Sequence, residues 1–138
     1  MVPLDGSDLA EGALAHAVHM ADVFGAELVL LRAAFIAPVP GLDLTAIQGS
    51  LVGECQAYLD HMAHRLQRPG RPIHTVVRWG QAADVILAQT TEQAVSVVVM
   101  ATHGHRGLTH WPLGSVAEKV LRSMQVPLLL VRPWQAPT

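Results

Sequence analysis

Gly104, Gly107, Gly114 and Ser115 are residue types that can bring backbone N–H groups and a hydroxyl close to a phosphate. They lie in ATHGHRGLTHWPLGSVAEKV, residues 101–120. The preceding VSVVVM, residues 95–100, is β-branched and reads as a buried strand. Helical periodicity follows Gly114, with Val116, Val120, Leu121 and Met124 on one face. About a dozen residues therefore join strand to helix, where βα loops usually take roughly 2–6. Glycines let a backbone approach a ligand closely. Successive N–H groups in such a loop can form an anion nest. A helix N-terminus adds unpaired N–H groups and a partial positive charge. Ser115 contributes a hydroxyl. The combination suits a polyphosphate. Ser115 with Glu118 three residues later also reads as a capping box, a purely structural use of the same residues.

Other chemistries fit less well. A P-loop needs Gly-Lys-Ser/Thr, and the one lysine of the chain, Lys119, lies outside this loop. Thr102-His103-Gly104-His105 matches the TxGH element of nucleotidyltransferases, but follows the fourth strand instead of the first, and no KMSKS-like segment comes later. His103, His105 and His110 lack a metalloenzyme spacing, and Cys55 lies far away on a core stripe. His16 with His19, and His61 with His64, read as solvated helix faces, and Trp79, Trp111 and Trp134 as packing residues, Trp111 being placed to cover the crevice. No Ser-His-Asp, Cys-His or paired-carboxylate arrangement supplies a placed base and a charge stabiliser.

The elements that would position this loop alternate regularly. MVPL, residues 1–4, is the tail of a strand, and DGSD a turn with a helix cap. Ala10, Ala13, Leu14, Ala17, Val18 and Ala21 predict one helix, closed by Gly25. Residues 27–35 form a strand, and IAPVPGLDLT a loop. Leu51, Cys55, Leu59, Met62, Ala63 and Leu66 form a helical stripe ended by RPGRP. Strand 73–79, a helix from Ala82, the strand at 95–100, the last helix and strand 127–131 complete the chain. Continuously apolar strands between helices imply a parallel sheet with helices on both faces. Ligands of such sheets bind beyond the carboxyl ends of the strands. Asp5, Ala33 and the 101–114 loop all follow strand ends and are expected to share one crevice.

The 138 residues suit a single domain, 1–138. An apolar fraction of 51% with 14% charged residues excludes disorder. No apolar run reaches about 18 residues, so no membrane span is expected, and no signal peptide is apparent. One cysteine cannot make an internal disulfide, and a cytoplasmic location is the simplest expectation. The formal charge of -2 with no basic block argues against nucleic-acid binding.

VPLDGSDLAEGAL, MATHGHRGLTHWPLGSVAEKVL and PLLLVRP together make the chain similar to the universal stress protein family, in its ATP-binding form. ATP-binding members carry Gly, two residues, Gly, nine residues, then Gly-Ser/Thr. Here Gly104 and Gly114 are separated by nine residues and followed by Ser115. The resemblance implies an α/β fold of Rossmann-like, adenine nucleotide α-hydrolase-like type, with one five-stranded parallel sheet in the order 3-2-1-4-5. It implies ATP or AMP in the crevice, with Mg2+ or Mn2+ accompanying ATP. Asp5 would sit near the adenine or ribose with Pro3 beside it, although a turn or cap role explains Asp5 equally simply. Ala33 would line the base, and Met100 and Ala101 would lie under the nucleoside. Gly104, Gly114, Ser115 and Val116 would hold phosphates. It further implies a homodimer through Pro127 to Arg132, and at most slow ATP hydrolysis. The chain departs from the family in four places. Ala101 stands at the signature's first glycine, Ala33 is smaller than the usual valine-like residue, and His105 and His110 replace arginines, for which Arg106 compensates in part. The first strand is also short. The alternative within the family is a dimeric interaction protein with an empty or degenerate pocket.

Overall fold

The structure, a computed structural model, describes residues 1–103 and 113–132. Strand β1 is Val2–Pro3, β2 Leu28–Ala34, β3 Ile73–Trp79, β4 Val98–Ala101 and β5 Leu128–Val131. Helices are α1 Asp8–Glu11, α2 Leu14–Phe24, α3 Thr45–Leu66, α4 Ala82–Glu92 and α5 Ser115–Ser123. These strands pair in parallel: β2 lies between β1 and β3, and β4 pairs with β5.

The expected single five-stranded sheet is not formed as one ladder. Two ladders, β1-β2-β3 and β4-β5, stand in its place. They meet at Met1, whose amino group donates to the Val97 carbonyl at 2.8 Å and whose carbonyl accepts from Val99 N–H at 2.9 Å. The cause lies in the strand itself. Successive strand residues turn their backbone groups to opposite neighbours: Met1 faces β4, and Leu4 donates to Leu31 of β2 at 2.8 Å. Pro3 falls on the β4 side and has no N–H to continue the pairing.

Both faces of β4 and most of β2 are covered, which is why those strands are largely apolar, whereas β3 at the sheet edge carries His74, Thr75 and Arg78 and buries only Val76 fully. One core packs Leu28 and Leu30 of β2, Val2 and Val99 against Ala17 and Ala21 of α2 and Leu59 and Met62 of α3. The other packs Leu31, Val76, Val98 and Met100 against Ala83 and Ile86 of α4 and Ala117 and Val120 of α5. The period-2 alternation of a strand divides Leu30 from Leu31, and Val99 from Val98 and Met100.

Several local expectations change, and β4 begins at Val98, later than the expected 95. The first helix is interrupted at Gly12, whose N–H is shared between the Asp8 and Leu9 carbonyls, so α1 and α2 are separate. Helix α3 begins at Thr45, within the expected loop. Asp43 accepts from the Thr45 hydroxyl at 2.6 Å and its N–H at 2.9 Å, which holds the Asp43 carboxyl below its ordinary pKa. Trp79 is exposed instead of packed inside, and tilts against Phe35 with ring centroids 6.4 Å apart.

Burial lowers the Met1 amino group from its ordinary 8.0 to about 6. The unfolded chain therefore binds more protons between those values, and stability rises with pH across that window. Its contribution is complete above pH about 8 and lost as pH falls through about 6, roughly 2–3 kcal/mol in all. Urea unfolding of the chain beginning at Met1 should show this gain over an Nα-acetylated reference, which retains one N–H donor. Parallel pH profiles of the two proteins would contradict the assignment.

Candidate functional site

The parallel arrangement brings the carboxyl ends of β1, β2 and β4 to one end of the molecule. The turn after β1 is built by Asp5, Gly6 and Ser7. Asp5 Oδ1 accepts from Ser7 N–H at 3.0 Å and from the Ser7 hydroxyl at 2.5 Å. Ser7 is the N-cap of α1, its Oγ accepting from Ala10 N–H at 3.1 Å. The turn reading of Asp5 is therefore real, and its carboxylate is also fixed in place by that turn. Gly6 has φ +85°, a conformation few other residues adopt without strain. Pro3 and Asp5 are partly buried.

Sequence reasoning did not anticipate what lies beside this turn. The Arg32 guanidinium of β2 reaches to within 3.1 to 3.3 Å of where a Cβ on Gly6 would stand. Its Cζ lies 4.7 Å from the centre of the Tyr58 ring of α3, a cation–π distance. The Tyr58 hydroxyl donates to Glu11 Oε1 at 2.9 Å, and Arg65 approaches Glu11 Oε2 at 3.5 Å. Burial, then the bond to Glu11, raises the Tyr58 hydroxyl well above its usual pKa, so it remains a donor. The available signal was a lone arginine within ELVLLRAAF.

At the end of β4, Met100, Ala101, Thr102 and His103 are buried. Thr102 Oγ1 and His103 Nδ1 are 3.1 Å apart. Ala101 pairs with Val131 in ordinary strand geometry, so any glycine at this position would be needed for space and not for backbone conformation. Ala33, near the end of β2, is partly buried and packs on the α4–α5 side. Gly104 and Arg106, with His105, His110 and Trp111, lie outside the described residues, as does Trp134.

Gly114 pins the base of the loop. Its N–H donates to the Thr102 carbonyl at 2.8 Å, and a Cβ there would meet that oxygen at 3.1 Å. The Gly114 N–H is thus occupied, and its closeness to Thr102 is a packing requirement in its own right. The expected Ser115–Glu118 capping box is not formed. Gly114 is the N-cap of α5, Ser115 its first residue, and Glu118 Oε1 accepts from Arg122 at 2.7 Å. With glycine as N-cap, no cap side chain satisfies the first-turn N–H groups. Ser115 and Val116 of that turn are exposed. Lys119 is held by Asp84 at 2.7 Å.

The helical histidines His16, His19, His61 and His64 are exposed. Among the described residues no three His, Cys, Asp or Glu side chains gather, and no helix is long and apolar enough to cross a membrane. A separate groove of about 390 Å³, lined by Asp60, His64, Arg71 and Thr75 among others, runs from the C-terminal half of α3 to the start of β3. It lies towards the amino ends of the strands, away from Asp5 and Ser115.

Comparison with known proteins accords with this geometry. The chain is 32% identical over 136 residues to universal stress protein MJ0531 of Methanocaldococcus jannaschii, covering 96% of this chain and 80% of that one. It is 32% identical over 143 residues to universal stress protein YxiE of Bacillus subtilis, covering 96% and 97%. Among solved structures, MJ0577 of Methanocaldococcus jannaschii superposes with a TM-score of 0.88 at 23% identity, covering 98% and 95%. A universal stress protein in complex with cAMP has a TM-score of 0.72 at 23% identity, covering 96% and 95%. A family protein from Arabidopsis thaliana with AMP bound has a TM-score of 0.63 at 14% identity, covering 96% and 89%. At these identities the structures establish the fold. The sequence model of the universal stress protein family matches residues 1–132, and on that match and the two relatives the chain belongs to this family.

Proposed function

We propose that the chain binds an adenine nucleotide, ATP or AMP, at the carboxyl ends of β1, β2 and β4, as a stress-response or signalling module of its family. The observation that carries this reading is the start of α5. The Gly114–Thr102 bond draws an uncapped helix N-terminus against the end of β4. N–H groups and dipole there favour the negative charge of a phosphate. Two proteins of the same fold, solved with cAMP and with AMP, support the adenine nucleotide as the ligand class.

The chain's own residues divide the work by chemistry. Ser115 and Val116 would hold phosphate through backbone N–H groups, with the Ser115 hydroxyl as a further donor. Asp5 would accept from base or ribose donors, beside Pro3, and Ala33, Met100 and Ala101 would offer apolar surface to the nucleoside. Gly104 and Arg106 are assigned to the proposed phosphate loop by the family resemblance of the sequence alone. Mg2+ or Mn2+ would arrive with the triphosphate. The reading is one of binding, with the whole chain as a single domain and a cytoplasmic setting.

The proposed partner is a second copy of the chain. Strand β5 pairs on one side with β4, and Leu129 is 38% exposed. An unpaired apolar edge invites pairing with another chain. The backbone groups of Pro127 and Val131 face β4, and by alternation those of Leu128 and Leu130 face the open side. A proline at Leu129 would therefore break the chain's own ladder. Leu129→Lys keeps that ladder and sets like charges near a two-fold axis.

Ser115→Glu separates ligand binding from folding. A carboxylate in the first turn suits the helix dipole, so the apo melting temperature should hold or rise. The same charge should repel a polyphosphate. Wild-type protein at about 100 times Kd in ATP and Mg2+ should gain roughly 2.7 kcal/mol, several degrees for a domain of this size, and the variant should lose that gain. No wild-type shift at saturation, or an equal shift in both proteins, would remove the phosphate site from α5. For the dimer, light scattering at micromolar concentration should give twice the chain mass, falling to one chain in Leu129→Lys. A monomeric wild type would overturn the pairing.

A further inference from the structure

We infer that Arg32 is a positioning residue for the nucleoside end of the crevice, acting through the Asp5–Gly6–Ser7 turn; this rests on the nucleotide reading proposed above. The contacts form a closed circuit. Asp5 is held by Ser7, and Ser7 caps α1. The last residue of α1, Glu11, accepts from Tyr58 at 2.9 Å. The Tyr58 ring lies 4.7 Å from the Arg32 guanidinium carbon. The guanidinium returns to Gly6, 3.1 Å from the position of an added Cβ. The turn is thus braced on two sides, by α1 through Ser7 and by β2 through Arg32.

Several features make this more than packing. Arg32 is the one charged residue of β2, a strand otherwise composed of Leu, Val and Ala. A planar cation fits between the glycine and the ring as neither an aliphatic chain nor an ammonium can. Gly6, at φ +85°, leaves the space the guanidinium fills. The surrounding charges alternate in sign: Asp5, Arg32, Glu11 and Arg65. Arg32 also lies on the α2–α3 side with Leu28 and Leu30 by strand alternation, whereas α5 packs on the opposite side. It is therefore placed to act on the Asp5 turn and not on phosphates at α5.

That placement predicts a specific pattern. Arg32→Met should weaken adenosine and ATP by the same factor, about tenfold or about 1.4 kcal/mol. Arg32→Lys should lose nearly as much, because the plane is absent. Tyr58→Phe, which removes only the link to Glu11, should show a smaller loss of the same form. In an Asp5→Asn background the effect of Arg32→Met should disappear, because both substitutions act on one group. Calorimetric titration of each protein with adenosine and with ATP reads all of this, with melting temperatures as the check on folding. Wild-type protein that binds neither ligand would overturn the nucleotide reading and this inference together. Wild-type binding with an unchanged Arg32→Met affinity would overturn the inference alone. A loss that grows from adenosine to ATP, or persists in the Asp5→Asn background, would likewise overturn it, by making Arg32 a direct contact.

Discussion

Two backbone hydrogen bonds at Met1, to Val97 and Val99, join the β1-β2-β3 ladder to β4-β5. Everything proposed for the crevice depends on that junction. The Asp5 turn hangs from one ladder and the α5 N-terminus from the other, so their relative placement is set where the ladders meet. Pro3 limits this junction by lacking an N–H on the β4 side. The side chains compensate. Val2 shares a core with Val99, and Met1 shares the other with Val98 and Met100, so both cores cross the junction.

The site built on that frame has two unlike halves. At β1 the chain spends side chains to fix a short turn: Asp5 on Ser7, Ser7 on Ala10, Arg32 on Gly6. At β4 it spends backbone: Gly114 on Thr102, leaving the first turn of α5 without a cap side chain. The first half presents a fixed carboxylate, the second a set of N–H donors. A ligand spanning both needs neutral donors at one end and negative charge at the other. A nucleotide has that polarity.

Much of the frame was legible because β2, β4 and β5 are short, largely apolar runs set between helical stripes. Strand β3 occupies residues 73–79, the range its sequence predicts, and β2 differs from the predicted 27–35 by one residue at each end. Errors arose where periodicity carries no information. The first turns of α3 face away from the core, with Ile47 exposed, so the apolar stripe did not mark the start that Asp43 provides. Ser115 and Glu118 have capping-box spacing, but the Gly114–Thr102 contact moves the cap one residue earlier, which only tertiary structure decides. The Arg32–Tyr58–Glu11 circuit joins three elements distant in sequence. Only the anomalous arginine in β2 hinted at it. In place of the expected single sheet stand two ladders that meet at Met1, where Pro3 offers no N–H to extend the pairing towards β4.

The most direct test of the central claim is to ask what the folded protein carries. Purified protein would be denatured, the released small molecules separated by chromatography, and a second sample first incubated with excess ATP and Mg2+ and desalted. The account predicts an adenine nucleotide approaching one per chain, in the first sample or at least in the second. A different molecule released at that stoichiometry, or no nucleotide from either sample, would contradict it.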